Sequence, residues 1–242
     1  MIGPSGSERN MHSDTPELQP IVPGYRLRIL SDEQLEQLKS ATLEILEKTG
    51  IHCPSEKALH VYAEHGARVD LESQIVKLPP DVVLDSLSHA PRYYTMGARS
   101  PDHDIKLNGT AFYCATDGCG TKTADFETRK LRPSVKDDVA KTARLADYLS
   151  SIGFYWPMVS AQDYPATAPL HELDASFNNT VKHVQTETVV DEIEARYAVE
   201  MARVIAGDET TMRERPPLSS LICNIAPLAQ DKGGLEAALV FA

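Results

Sequence analysis

Six side chains stand out as able to act on a small molecule: Trp156, Gln162, Tyr164, Gln185, Glu187 and Asn224. Each lies in or just past a dense apolar run. Glu187 closes the run 181–187, where a carboxylate without a partner is costly, so it is expected to be ion-paired or functional. Asp163 also carries a charge, but its loop position suits helix entry or solvation equally well. Trp156 is the only tryptophan and lies beside Phe154 and Tyr155, so it offers either core packing or an aromatic face. Tyr164 lies past the end of the same run. Gln162, Gln185 and Asn224 can each orient a polar ligand or satisfy backbone groups.

Other chemistries have less to stand on. Cys114 and Cys119 do not form a Cys-x-x-Cys pair. His60 and His65, five residues apart on a helix, point about 140° from each other. No metal site and no Ser-His-Asp set follows; His171 and His183 read as helix-entry and strand-edge residues. The loop Thr116-Asp117-Gly118-Cys119-Gly120-Thr121 is glycine-rich but lacks the Lys-Ser/Thr of a phosphate loop. It reads as a turn, with a lid over a nearby site as the alternative. The catalytic residue stays unassigned.

The elements that must carry these residues are well punctuated. Ser31 with Gln34 predicts a capped helix bearing Leu35, Leu38, Ile45 and Leu46, stopped at Gly50. A helix over 55–66, a strand pair over 67–70 and 74–78, and a helix opened by Pro79-Pro80 follow. Residues 92–132 hold five short strands separated by Pro-Asp, Asn-Gly and Asp-Gly turns, which predicts a small antiparallel meander. Pro133-Ser134 opens a helix with Val135, Val139, Ala143, Ala146 and Leu149 as its apolar stripe. Beyond it, runs at 152–160, 181–187 and 218–225 alternate with helices at 170–179, 191–206 and from Gly234 onward. That alternation predicts βαβ units and a parallel sheet.

Length and charge narrow the classes. The chain has 242 residues, 24 Lys and Arg against 35 Asp and Glu, and 42% hydrophobic residues. A net charge of −11 argues against nucleic acid as the main ligand. No apolar run reaches membrane-spanning length, the first residues lack a signal-peptide core, and four cysteines make no disulfide framework. The expectation is a soluble cytoplasmic protein with a mobile leader at 1–22, an N-terminal α+β domain at 23–150 and βα units at 151–242. A complete (β/α)8 barrel needs about 250 residues for its eight units. Three units, the last incomplete, therefore suggest the N-terminal portion of a longer protein; a complete small α/β protein is the alternative.

Five stretches in order carry a family resemblance. They are ATLEILEKTGIHCPSEKALHVYAEHGARVD at 41–70, IVKLPPDVVLDSLSHAPRYYTMGARSPDHDIKLNG at 75–109, DFETRKLRPSVKDDVAKTARLADYLSSIGF at 125–154, NNTVKHVQTE at 178–187 and IAPLAQDKGGLEAALVFA at 225–242. Together they resemble the trimethylamine methyltransferase family of corrinoid-dependent TIM-barrel enzymes. The resemblance implies a partial (β/α)8 barrel of about three units behind the α+β domain. It also implies methyl transfer from a tertiary or quaternary methylated amine, of trimethylamine or glycine betaine type, to a corrinoid protein. The corrinoid would be carried by that partner and not bound directly, and the chain would form a homo-oligomer. Family members run to roughly twice this length, and the pyrrolysine of the archaeal enzymes lies in their later part. On this reading Trp156, Tyr164 and Glu187 are candidates to hold the substrate cation, because a quaternary ammonium offers no N–H and takes aromatic faces and carboxylates instead. The competing reading is a truncated, non-catalytic interaction protein of the same family.

Overall fold

A computed structural model describes residues 15–25 and 27–242. The N-terminal part begins with α1 (Asp32–Lys48), β1 (Ile51–His52), α2 (Glu56–Glu64), β2 (Arg68–Asp70), β3 (Ile75–Lys77) and α3 (Pro80–His89). Short strands follow: β4 (Tyr94–Met96), β5 (Ile105–Leu107), β6 (Cys114–Ala115), β7 (Lys122–Ala124) and β8 (Leu131–Pro133). Then come α4 (Lys136–Tyr148), β9 (Ile152–Tyr155), α5 (Ala168–Phe177), β10 (His183–Thr186), α6 (Glu192–Ala206) and α7 (Glu209–Glu214). The chain continues through β11 (Leu218–Ser220), β12 (Asn224–Ile225), β13 (Ala229–Gln230) and α8 (Lys232–Phe241).

The architecture is mixed α/β. A four-stranded sheet in the order β11-β10-β9-β6 is parallel throughout, with α4, α5, α6 and α8 packed on it. Residue parity sorts its faces. Val184 and Leu218 join Leu173, Phe177, Val189 and the alanines of α6 in one core, and Tyr155 joins Val139, Ala143 and Ala146 of α4 in a second. Burying each such Val or Leu contributes about 2 kcal/mol. The opposite face carries Phe154, His183, Gln185 and Ser219, of which Phe154 and His183 meet edge to face at 6.3 Å.

Helix ends follow the sequence closely. Ser31 accepts from Gln34 N at 3.3 Å and its own N–H donates to Gln34 Oε1 at 2.9 Å, completing the capping box. Asp191 caps α6, and Gly207 ends it with φ +83°. Lys182 is buried at the start of the β10 segment, and its ammonium donates to the carbonyls of Ala146, Leu149 and Ile152 at 2.8, 2.8 and 2.7 Å. It thereby satisfies the Ala146 carbonyl in the last turn of α4 and reinforces the turn from Leu149 to Ile152, while desolvation pulls its pKa down to about 8.

Four expectations change. The predicted meander is two separate antiparallel hairpins, β4–β5 and β7–β8, and β6 between them turns away to pair parallel with β9. The run 218–225 splits between two sheets. β11 lies beside β10, while β12 pairs antiparallel with β13, whose Ala229 pairs parallel with His52 of β1. Pro133 closes β8 instead of opening a helix, and α4 starts at Lys136 with Arg132 and Asp138 paired across its first turn at 2.6 and 2.7 Å. The apolar positions of α1 are not buried: Leu35, Leu38 and Ile45 are all exposed. Of the leader, residues 1–14 lie outside the described residues. Thr15 donates to Asp147 at 2.6 Å, Gln19 to Ser150 at 3.0 Å, and Ile21 exchanges hydrogen bonds with Phe112 at 2.8 Å. No helix among the described residues is long and apolar enough to cross a membrane.

Candidate functional site

The C-terminal ends of parallel strands are where α/β sheets place their sites, because the loops there converge above the sheet. Three of the predicted residues come together at that end. Trp156 follows β9 directly and its Nε1 is buried with no hydrogen-bond partner among the described residues. Glu187 follows β10, on the neighbouring strand, and its Oε1 is likewise buried and unpartnered. Gln185 lies two residues before Glu187 on the same face, with Oε1 3.3 Å from Ser219 Oγ. An orphaned donor and an orphaned acceptor are each costly when buried, so both are groups with hydrogen-bonding capacity left for a ligand.

The backbone around Trp156 is fixed by Thr116, whose hydroxyl accepts from Trp156 N at 2.8 Å and donates to Trp156 O at 2.7 Å. The glycine-rich loop then runs along the outgoing chain, with Cys119 N bonded to Pro157 O at 3.2 Å and Gly120 N to Met158 O at 3.1 Å. Gly118 is required there, since a Cβ would lie 2.1 Å from Pro157 O. Cys119 adopts φ +75° and its thiol faces Glu187; that carboxylate, with burial and the more distant charge of Glu172, pushes the thiol pKa up to about 11. Cys119 therefore stays a neutral thiol at physiological pH.

Below these residues, His183 is held from both sides. Its Nδ1 donates to Gly97 O at 2.8 Å, which leaves Nε2 to accept from Ser219 Oγ at 2.8 Å. Burial drops its pKa to about 4, so the ring is neutral and takes the one hydroxyl proton of Ser219, while Gln185 Oε1 lies 3.3 Å from the same oxygen. Arg215 secures the loop that supplies Gly97, with bonds to Asp104 at 2.7 and 2.5 Å and to Ala98 O at 2.8 Å.

The other predicted residues fall elsewhere. Tyr164 stacks on His171 at 3.7 Å between α4 and α5, with the Lys136 ammonium 5.8 Å from its ring. Asp163 accepts from Lys136 N at 2.8 Å and so supports the start of α4. Gln162 is exposed and donates to Ser160 Oγ at 3.0 Å. Asn224, on β12, is exposed, but shares with Glu187 a cleft of about 240 Å³ that is also lined by Val189, Leu221, Ile222 and Cys223. Cys119, His183, Ser219 and Glu172 complete the neighbourhood and were not among the predicted residues. Only the glycine-rich loop pointed toward Cys119. Among the described residues no group of three or more His, Cys, Asp or Glu is arranged to hold a metal ion.

Comparison with known proteins agrees with the resemblance in sequence. The family model for trimethylamine methyltransferases matches residues 5–242. The trimethylamine methyltransferase MttB of Desulfitobacterium hafniense is 36% identical over 208 residues, covering 86% of this chain and 42% of that protein. The MttB of Methanosarcina thermophila is 28% identical over 210 residues, covering 85% of this chain and 44% of its own length. A glycine betaine methyltransferase of Desulfitobacterium hafniense is 28% identical over 225 residues, covering 92% and 46%. The chain thus spans less than half the length of these relatives.

Proposed function

Because the chain belongs to the trimethylamine methyltransferase family, we propose that it serves methyl transfer from a tertiary or quaternary methylated amine to a corrinoid protein. In this reading β9, β10 and β11 with their helices are the first three units of a (β/α)8 barrel, and residues 23–150 form the α+β domain before it. What supports the barrel is the all-parallel sheet, the helices packed on it, and the edge of β11, which no strand among the described residues pairs. Beside that edge lies an open groove of about 620 Å³, lined by Arg203, Met212, Leu218 and Phe241. The protein works in the cytoplasm as a homo-oligomer.

The observation that carries the reading is the pair of orphaned atoms, Trp156 Nε1 and Glu187 Oε1, at the ends of adjacent strands. Glu187 supplies the negative charge that a methylated ammonium needs, and the indole that follows the neighbouring strand supplies an aromatic face. Indole N–H is a donor only, so it needs an acceptor on the substrate. A betaine offers both complements, a carboxylate for the indole and an ammonium for Glu187, which favours the betaine type over trimethylamine itself. A docked corrinoid would supply the electron pair that accepts the methyl group, and the C–N pair would remain on the departing amine. The residues of this chain hold and orient the cation.

The test is methyl transfer by the intact protein with a corrinoid partner, with glycine betaine and trimethylamine as donors. Glu187→Gln should raise KM at least tenfold while the fold stays intact. Methyl transfer by wild type with full activity retained in Glu187→Gln would refute the assigned role. A protein that binds a corrinoid partner and never transfers methyl would favour the non-catalytic reading.

A further inference from the structure

Glu172 is the most deeply buried carboxylate near the site, 1% exposed in the middle of α5. Burying a carboxylate is costly, and this one has no Lys, Arg or His partner among the described residues. Its two oxygens instead accept one neutral donor each. Oε1 takes the backbone N–H of Ala161 at 3.1 Å, in the segment that follows β9 and Trp156. Oε2 takes the hydroxyl of Thr188 at 2.6 Å, in the residue that follows Glu187. One helix side chain therefore ties together the two loops that carry the orphaned groups, at the point where adjacent strands end. Gln or Leu could fill the space without placing a second charge behind the first.

We propose that Glu172 is a positioning residue, whose buried carboxylate straps the loops after β9 and β10 and sets the preference of the site for a cation over a neutral group of the same shape. The inference rests on the amine-binding reading above. Two features of Glu172 act together. The strap fixes Thr188 and with it the adjoining Glu187, so that the Glu187 carboxylate holds one position relative to Trp156. The charge itself adds to the negative potential at the strand ends, and it is little screened because Glu172 is buried. The same charge also acts on the Cys119 thiol.

The experiment uses two isosteric probes, glycine betaine and 3,3-dimethylbutanoate, which differ only in a charged nitrogen or a neutral carbon. Binding of each to the intact protein is measured by calorimetry, with thermal melting to establish folding. Wild type should prefer glycine betaine. Glu172→Gln, which removes the charge and turns one acceptor into a donor, should shrink that preference by roughly tenfold. Thr188→Val keeps the charge and cuts the strap on one side; it should shrink the preference by roughly threefold. Because this variant leaves a buried carboxylate with one bond, it carries the test where Glu172→Gln fails to fold. A merely structural role lowers the melting temperature and leaves the ratio of the two affinities unchanged in both variants, and that result would overturn the proposal. Wild type binding neither probe would instead overturn the amine-binding reading on which it rests.

Discussion

Acid should unfold this protein through His183. The ring is 1% exposed, with Nδ1 committed to Gly97 O and Nε2 to Ser219, and burial drops its pKa from 6.5 to about 4. The folded value lies below the unfolded one, so the unfolded chain takes up the proton first. Stability is therefore full above about 6.5 and is lost as pH falls toward 4. A shift of about 2.5 units corresponds to a limit of about 3 kcal/mol, of which about 2 kcal/mol is lost between pH 7 and pH 5. Urea unfolding of wild type and His183→Gln at both pH values isolates the contribution, because other titrating groups enter both proteins alike. The wild type should lose about 2 kcal/mol more than the variant over this interval. Equal losses in the two proteins, or an imidazole titrating near 6.5 in the folded state by NMR, would refute the reasoning.

Four further outcomes follow from the packing. Gly97→Ala should cost about 3 kcal/mol in chemical denaturation, because a Cβ there would lie 1.9 Å from the carbonyl oxygen of Arg215. Lys182→Met should cost about 3 kcal/mol by the same measurement, since it removes the ammonium donor from the carbonyls of Ala146, Leu149 and Ile152, of which Leu149 alone keeps the Ile152 N–H. Cys119, with its thiol held at about 11, should react with iodoacetamide at pH 8 roughly 100-fold more slowly than an ordinary exposed cysteine, and Glu187→Gln should accelerate it. Val184→Ala should cost about 2 kcal/mol with little change in amine affinity, whereas Gln185→Leu should weaken amine binding and leave the urea midpoint near wild type.

What was legible in the sequence depended on whether the signal was local. Helix caps are local: Ser31 with Gln34 lies at the start of α1, and Asp191 at the start of α6. The alternation of apolar runs and helices gave the parallel β9–α5–β10–α6 succession for the same reason. Strand partners depend on distant residues. Nothing within 110–120 says that Cys114 pairs with Ile152, and nothing within 218–230 says that Ala229 crosses back to His52. The site divides in the same way. Trp156, Gln185 and Glu187 stand at strand ends because they end or follow apolar runs, while Tyr164 lies past the same run yet is drawn to His171 on α5. Glu172 reads as one more polar residue on a helix, and only the fold brings it to Ala161 and Thr188.

The two faces of β10 explain why stability and chemistry can be separated in so short a strand. Side chains alternate across a strand, so Val184 enters the core beneath α5 and α6 while His183, Gln185 and Glu187 turn the other way. Polar groups on that second face are satisfied from below upward. His183 is saturated by Gly97 and Ser219, Gln185 Oε1 lies 3.3 Å from Ser219 Oγ, and Glu187 is left with an oxygen that has no partner among the described residues. The gradient has a physical logic. A group that must be empty-handed for a ligand is costly, and the cost is bearable only where neighbours cannot relax to fill it. A neutral His183 cannot swing toward Glu187 without giving up the Gly97 bond, and Glu172 keeps Thr188 from turning its hydroxyl to the same carboxylate. The unpartnered oxygen of Glu187 is thus maintained by residues that never need to touch the substrate.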